Sequence, residues 1–273
     1  MKKISFAILM VIIAITSCKK TQPNMPATEK WKFDKLSLEK KVFLDNDSTK
    51  GGIKLSFEFN YPSKIGNDSL LSVIQSHFAT AFAGDDYKNL NPQSAFDTLT
   101  NRSINESLDI AKLAIKDRSD LSDYYKNVVT SVFDTTDMTI TARTETNEYM
   151  GGAHGSQYIS YYNIDTRNGS IIKGDKLFKS GSQDKLTQYI KEGLAKTLNS
   201  QGDTITLLDP ESIVPSENFY FNNQGIVYVY NSYEVAPYSD GLVEVTLPYA
   251  KIKDMITSEY LPIISLKTKE GTK

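Results

Sequence analysis

The chain has 273 residues, with 31 Lys and Arg against 33 Asp and Glu, two histidines and one cysteine. This near-balanced charge excludes a general attraction to nucleic acid or anionic lipid, and a single cysteine excludes an intrachain disulfide framework. The length allows one large domain or two small ones, each with its own core.

Met1-Lys2-Lys3 is a short basic start, followed by an apolar run from Ile4 to Ile15 broken only by Ser5. The run is too short to span a bilayer permanently, and small residues follow it, which is the pattern of an export signal over residues 1–17. Ile15-Thr16-Ser17-Cys18 has the form of a bacterial lipobox, in which Cys18 is lipidated and becomes the new N-terminus. The expectation is an exported envelope protein anchored to the membrane through Cys18, on the outer membrane or facing the periplasm. Residues 18–30 are polar, contain Pro23 and Pro26, and read as a flexible stalk.

Trp31 to Leu44 reads as a strand whose alternation slips near Lys35, followed by a polar turn over 45–51. Ile53, Leu55, Phe57, Phe59 and Tyr61 then alternate strictly with polar residues. That predicts a half-buried strand, ended by Pro62 and paired with the first as a hairpin. A helix capped at Asn67-Asp68-Ser69 presents Leu71, Ile74, Phe78 and Phe82. A second opens at Ser103, where Ser103-Ile104-Asn105-Glu106 has capping-box spacing. Leu121, Tyr124, Val128 and Val132 predict a third over residues 120–133.

From Met138 the period becomes two. Residues 138–149 and 156–165 read as long strands joined across Gly151-Gly152-Ala153-His154-Gly155, and Asn168-Gly169 as a hairpin turn. A helix over 182–198 uses Leu186, Ile190 and Leu194. Strands follow at 219–221, 226–230 and 242–247, then a short closing helix with Ile252, Met255 and Ile256. Hairpins with helices between them predict an α+β fold of antiparallel sheets with helices packed on them.

The sequence has no H-E-x-x-H, G-x-S-x-G, phosphate-binding or dinucleotide-binding glycine motif. A zinc site would have to use His77 and His154 with carboxylates alone, so no metal or cofactor is expected. Asp45 to Gly51 fails as a calcium loop: Lys50 stands where glycine is needed, and Ser56 where the bidentate glutamate is needed. No spacing singles out a carboxylate pair for glycoside cleavage. His77, on the margin of an apolar stripe, reads as a boundary histidine.

Several motifs recur in one order: the 151–155 glycines, a tyrosine-rich strand, Asp175-Lys176-Leu177-Phe178, the stretch from Tyr233 to Gly241, and Leu247-Pro248-Tyr249. In that order they resemble the extracellular domain family shared by lysozyme-sensing anti-sigma factors of the RsiV type and peptidoglycan deacetylases of the PdaC type, over about residues 138–256. Phe59-Asn60-Tyr61-Pro62 and the helix after it resemble the smaller module that commonly precedes that domain. The resemblance implies two modules, 31–135 and 136–260. The anti-sigma relatives bind lysozyme through this region and add a membrane helix and a cytoplasmic sigma-binding part. The deacetylases do their chemistry in a separate metal-dependent domain. Neither addition is expected here, so the resemblance implies binding to a lysozyme-like protein or peptidoglycan and not catalysis.

Two readings of Gly151, Gly152, His154 and Gly155 stay open. In the favoured one, the glycines make a tight corner, and His154 hydrogen-bonds the backbone to lock it. In the other, His154 joins Tyr233, Glu234, Tyr238 and Asp240 along a partner-facing rim, where tyrosines supply contact area at little entropic cost. A further alternative is a hydrolase of wall glycan working through carboxylates and His154.

Overall fold

The computed structural model describes residues 31–43, 47–50, 52–65, 68–116, 121 and 123–270. The leader, Cys18 and the stalk lie outside the described residues. No helix among the described residues is long and apolar enough to cross a membrane.

The fold is α+β, with a five-stranded and a three-stranded sheet. Strands β1 (Lys32–Val42) and β2 (Ile53–Lys64) form the expected antiparallel hairpin. Alternation in β2 sends Ile53, Leu55, Phe57 and Phe59 to one face, each 2% exposed or less. Against them pack α1 (Leu71–Ala83) and α2 (Pro92–Lys116), with Phe59, Phe82 and Phe96 stacked in sequence at 4.6 and 5.7 Å. Each such ring contributes about 1.5–3 kcal/mol through burial. The two helices cross over to β3 (Tyr125–Thr135), which runs parallel to β2. The strands β4 (Thr139–Tyr149) and β5 (Ser156–Asp165) complete the sheet as an antiparallel meander. The module border expected at 135/136 falls in the β3–β4 turn, inside this sheet.

Three local expectations are corrected. The predicted helix over 120–133 is largely strand β3. Leu121, Tyr124, Val128 and Val132 do have helical spacing, but the β-branched Val128, Val129, Thr130 and Val132 favour a strand, and pairing with β2 buries Val128 and Thr130. Helix α2 begins at Pro92 and not at Ser103. Asn91 Oδ1 accepts from Ser94 N at 2.9 Å, and proline suits a first turn whose amide lacks a partner anyway. Pro62 does not end β2, because β3 pairs only as far as Phe59 and leaves that side of Pro62 free of a ladder. The sheets are antiparallel except for the β2–β3 pair, which the helical crossover makes parallel.

The second sheet comprises β6 (Phe219–Phe221), β7 (Gly225–Tyr230) and β8 (Val243–Pro248). A short α3 (Gly174–Leu177) leads to α4 (Gln183–Leu194), which buries Leu186, Ile190 and Leu194 as expected. The closing helix is α5 (Tyr249–Ile252) plus a 3-10 turn, and a further helix, α6 (Leu261–Glu270), follows. Lys267 of α6 is buried and paired with Asp134 at the end of β3, which ties α6 to the first sheet.

Candidate functional site

The β4–β5 turn is built on left-handed backbone. Gly151 and Gly152 have φ of +99° and +102°, where a Cβ is disfavoured, and a Cβ on Gly151 would lie 2.6 Å from the Tyr124 hydroxyl. Tyr149 Oη donates to Gly152 O at 3.0 Å, and a Cβ on Gly155 would press on Glu148 O at 3.0 Å. The glycines set the shape of the corner, and His154 at its tip is exposed.

His154 Nδ1 donates to its neighbour's carbonyl, Gly155 O, at 2.8 Å. That fixes the proton on Nδ1 in the neutral ring, so Nε2 accepts from the Tyr233 hydroxyl at 3.2 Å. The ring stacks on Tyr238 with centroids 3.8 Å apart and planes 18° apart, and Tyr233 and Tyr238 lie 6.0 Å apart at 28°. Tyr233 is 59% exposed and itself has φ +71°, which a bulky side chain rarely adopts. A loop of the second sheet thus meets the turn of the first through three exposed rings.

The acids expected beside them point elsewhere. Glu234 Oε2 accepts from Asn231 N at 3.0 Å. Asp240 accepts from Thr206 N at 2.9 Å and Asn199 Nδ2 at 3.1 Å, and the Thr206 amide chiefly, then Asn199, holds its carboxyl below the usual range. Glu234 braces its own loop, and Asp240 latches the loop 199–206. Of the eight residues singled out in the sequence, three glycines shape the turn, three rings form the stack, and two acids are scaffolding.

A groove that no sequence pattern singled out lies over one face of β5. A cavity of about 370 Å³ lies between α1, β5 and the segment leading to β6, lined by His77, Asp85, Tyr158 and Tyr162 among others. Burial pushes the Tyr162 hydroxyl up to about 12, with nearby Asp85 adding to the effect. Burial also raises Tyr158, with Glu234 and then Asp85 contributing charge. His77 Nε2 donates to Gly169 O at 3.0 Å, and burial holds its pKa below the usual histidine value, partly offset by that bond. Period two in β5 places Tyr158, Ser160 and Tyr162 on one face, a signal present in the sequence. Asp85 arrives through the crossover, which no local pattern encodes. Among the described residues no three His, Cys, Asp or Glu side chains are grouped to hold a metal ion.

A family model described as Protein of unknown function (DUF3298) matches residues 175–250, a span that contains Tyr233 and Tyr238 but not His154. A solved member of the DUF3298 family from Bacteroides fragilis NCTC 9343 is similar at a TM-score of 0.73 and 27% identity, covering 88% of this chain and 98% of that one. A DUF3298 family protein from Pseudomonas aeruginosa PAO1 shares the fold at a TM-score of 0.56 and 13% identity, over 84% of this chain and 95% of that one. In sequence, the anti-sigma-V factor RsiV of Bacillus subtilis (strain 168) is 29% identical over 107 residues. That match spans 36% of this chain and 38% of the relative, well under half the relative's length.

Proposed function

We propose that the chain is the folded part of an exported cell-envelope lipoprotein, tethered through Cys18, that binds a macromolecular partner and does no chemistry of its own. The partner is a lysozyme-like glycosidase or peptidoglycan, and the contact face is the His154–Tyr233–Tyr238 stack. Modules 31–135 and 136–260 share the five-stranded sheet and act in this reading as one platform.

Tyr233 carries the argument. It holds a left-handed backbone that costs of order 1–3 kcal/mol in a non-glycine residue, yet more than half of its surface faces water. The turn bond from Tyr233 N to Ala236 O at 2.9 Å holds that backbone, and the ring it presents touches His154 and Tyr238, themselves exposed, which suits an aromatic rim for a partner. The similarity to an anti-sigma-V factor supports a partner of the lysozyme kind. A hydrolase would need an acid beside His154, and Glu234 and Asp240 are engaged by backbone amides instead.

The test is retention of the purified protein on immobilised lysozyme and on cell-wall sacculi. Retention by at least one is expected, with loss in the Tyr233→Ala/Tyr238→Ala double variant at an unchanged melting temperature. Retention by neither, or retention that survives the double substitution, overturns the reading.

A further inference from the structure

The five-stranded sheet treats its two edges differently. Asn218 and Asn231 close the edge of β5 through the amides of Tyr161 and Ile159. The opposite edge is β1, and among the described residues no strand pairs with its outer side. In an antiparallel pair every second residue turns its amide and carbonyl away from the partner, so β1 offers a row of such groups outside the sheet. A long edge of this kind is a template for another chain, and proteins that avoid pairing set charges along it.

Strand β1 does carry charge, but in a pattern. It reads Lys32-Phe33-Asp34-Lys35-Leu36-Ser37-Leu38-Glu39-Lys40-Lys41-Val42, and Asp34, Lys35, Ser37, Glu39 and Lys40 are exposed. Charges that served only to repel would repel a second copy in every register. Two copies meeting edge to edge about a two-fold axis perpendicular to the sheet keep the same faces together. Since side chains alternate between faces, facing residues then lie an even number of positions apart, and one residue faces its own copy.

With Ser37 at that centre, Leu36 faces Leu38, Lys35 faces Glu39 and Asp34 faces Lys40, each twice by symmetry. Centring on Leu36 sets Lys32 against Lys40, and centring on Leu38 sets Lys35 against Lys41. Centring on Lys35 or Glu39 sets a charge against its own copy. Opposite charges directly across an antiparallel pair stabilise it and like charges destabilise it, so one register is favoured and its neighbours are disfavoured.

The side chains suit that register. Among the described residues Asp34, Glu39 and Lys40 have no ion pair or side-chain hydrogen bond of their own. Lys35 is held by Glu58 at 2.9 Å on the face it shares with Glu39. Leu36 and Leu38 are half-buried against the first core, so facing each other extends that core. The irregularity between Lys32 and Phe33 falls outside the matched span.

We propose that β1 pairs antiparallel with β1 of a second copy, centred on Ser37, and joins two five-stranded sheets into one. The match is of the strand with itself, which is what assigns the edge to a second copy. The inference does not rest on the His154 stack.

The experiment uses the purified full chain carrying Cys18→Ser, so that an introduced thiol is the only one. Under mild oxidation Ser37→Cys should give a disulfide-linked dimer, because facing Cα atoms lie about 4.5–5.5 Å apart, within disulfide reach. Glu39→Cys should not, because its copy lies four residues along, about 14 Å away. Sedimentation equilibrium of the Cys18→Ser chain should show a concentration-dependent monomer–dimer equilibrium. Lys40→Asp sets acid against Asp34 at two symmetric positions and should weaken dimerisation by at least about tenfold. Adding Asp34→Lys to it reverses both partners and should restore the dimer, which a misfolded variant would not do. A monomer at every concentration would leave the edge to a strand from another protein and overturns the proposal. So does a missing cross-link at Ser37, equal cross-linking at both positions, or a dimer indifferent to Lys40→Asp.

Discussion

Asn231 and Ile159 pair as two strand residues would: the Ile159 amide donates to Asn231 Oδ1 at 2.7 Å, and Asn231 Nδ2 donates back to Ile159 O at 3.1 Å. Asn218 repeats the device, accepting from Tyr161 N at 2.8 Å and donating to Ile159 O at 2.7 Å. A primary amide carries the donor and acceptor of a peptide group, so two side chains close the edge of β5 and join the sheets without a ladder. An unclosed edge is open to unwanted pairing. Asn231→Ala leaves the amide of a residue only 4% exposed without its acceptor. The expected loss is about 2–3 kcal/mol, read as a lowered urea midpoint, with a similar loss for Asn218→Ala. A loss under about 0.5 kcal/mol for both would mean that the amides are not what holds this edge.

The ion pair between Lys267 and Asp134 predicts an asymmetry. Lys267 is 2% exposed, whereas the Asp134 side chain keeps 23% of its surface in water. Removing the acid takes a carboxylate away from a buried ammonium, the costlier half of a buried pair to strand. Removing the charge from the lysine leaves an acid that can still be hydrated. Asp134→Ala should therefore destabilise more than Lys267→Met in chemical unfolding, and the reverse order would refute this account of how α6 is attached.

The sequence was most legible where one pattern decided the matter. The alternation of Ile53, Leu55, Phe57 and Phe59 made β2 plain, and Gly151-Gly152 made a corner plain, because only glycine suits its backbone. Residues 125–135 misled because Val128 and Val132 satisfy a helical period as well as a strand's, and what decided was the partner, β2, some seventy residues upstream. The rim was half legible. The grouping of His154, Tyr233 and Tyr238 stood in the sequence only as the less favoured of two readings, and Glu234 and Asp240, grouped with them there, turn away to backbone donors whose positions no motif encodes. The groove was the least visible, since Tyr158 and Tyr162 share a face of β5 by alternation but Asp85 joins them only through the crossover, which no local pattern encodes.

His77 gives a pH dependence with a definite sign. Burial holds its folded value below the ordinary 6.5. Between the folded and unfolded values the unfolded chain binds more protons, so stability rises with pH through that window. The contribution is complete above the unfolded value and is lost as pH falls toward the folded one. His77→Gln should flatten this acid-side slope in urea midpoints taken from about pH 5 to pH 7, where histidine titrates. An identical slope in the variant would show that His77 is not its source.

The turn at 151–155 separates a locking role for His154 from a presenting one. Gly152→Ala meets no atom within 4 Å, so its expected cost is the left-handed backbone alone, about 1–2 kcal/mol. Gly151→Ala should cost more, because its Cβ would also displace the Tyr124 hydroxyl. His154 bonds only its own neighbour and one exposed tyrosine, so His154→Ala should change stability by no more than about 0.5 kcal/mol while partner retention falls. If the imidazole instead locked the turn, His154→Ala would cost as much as Gly152→Ala in thermal unfolding. Comparing the two variants in one assay therefore distinguishes a bolt from a contact, since the glycines already fix the backbone and leave the ring free to serve a partner.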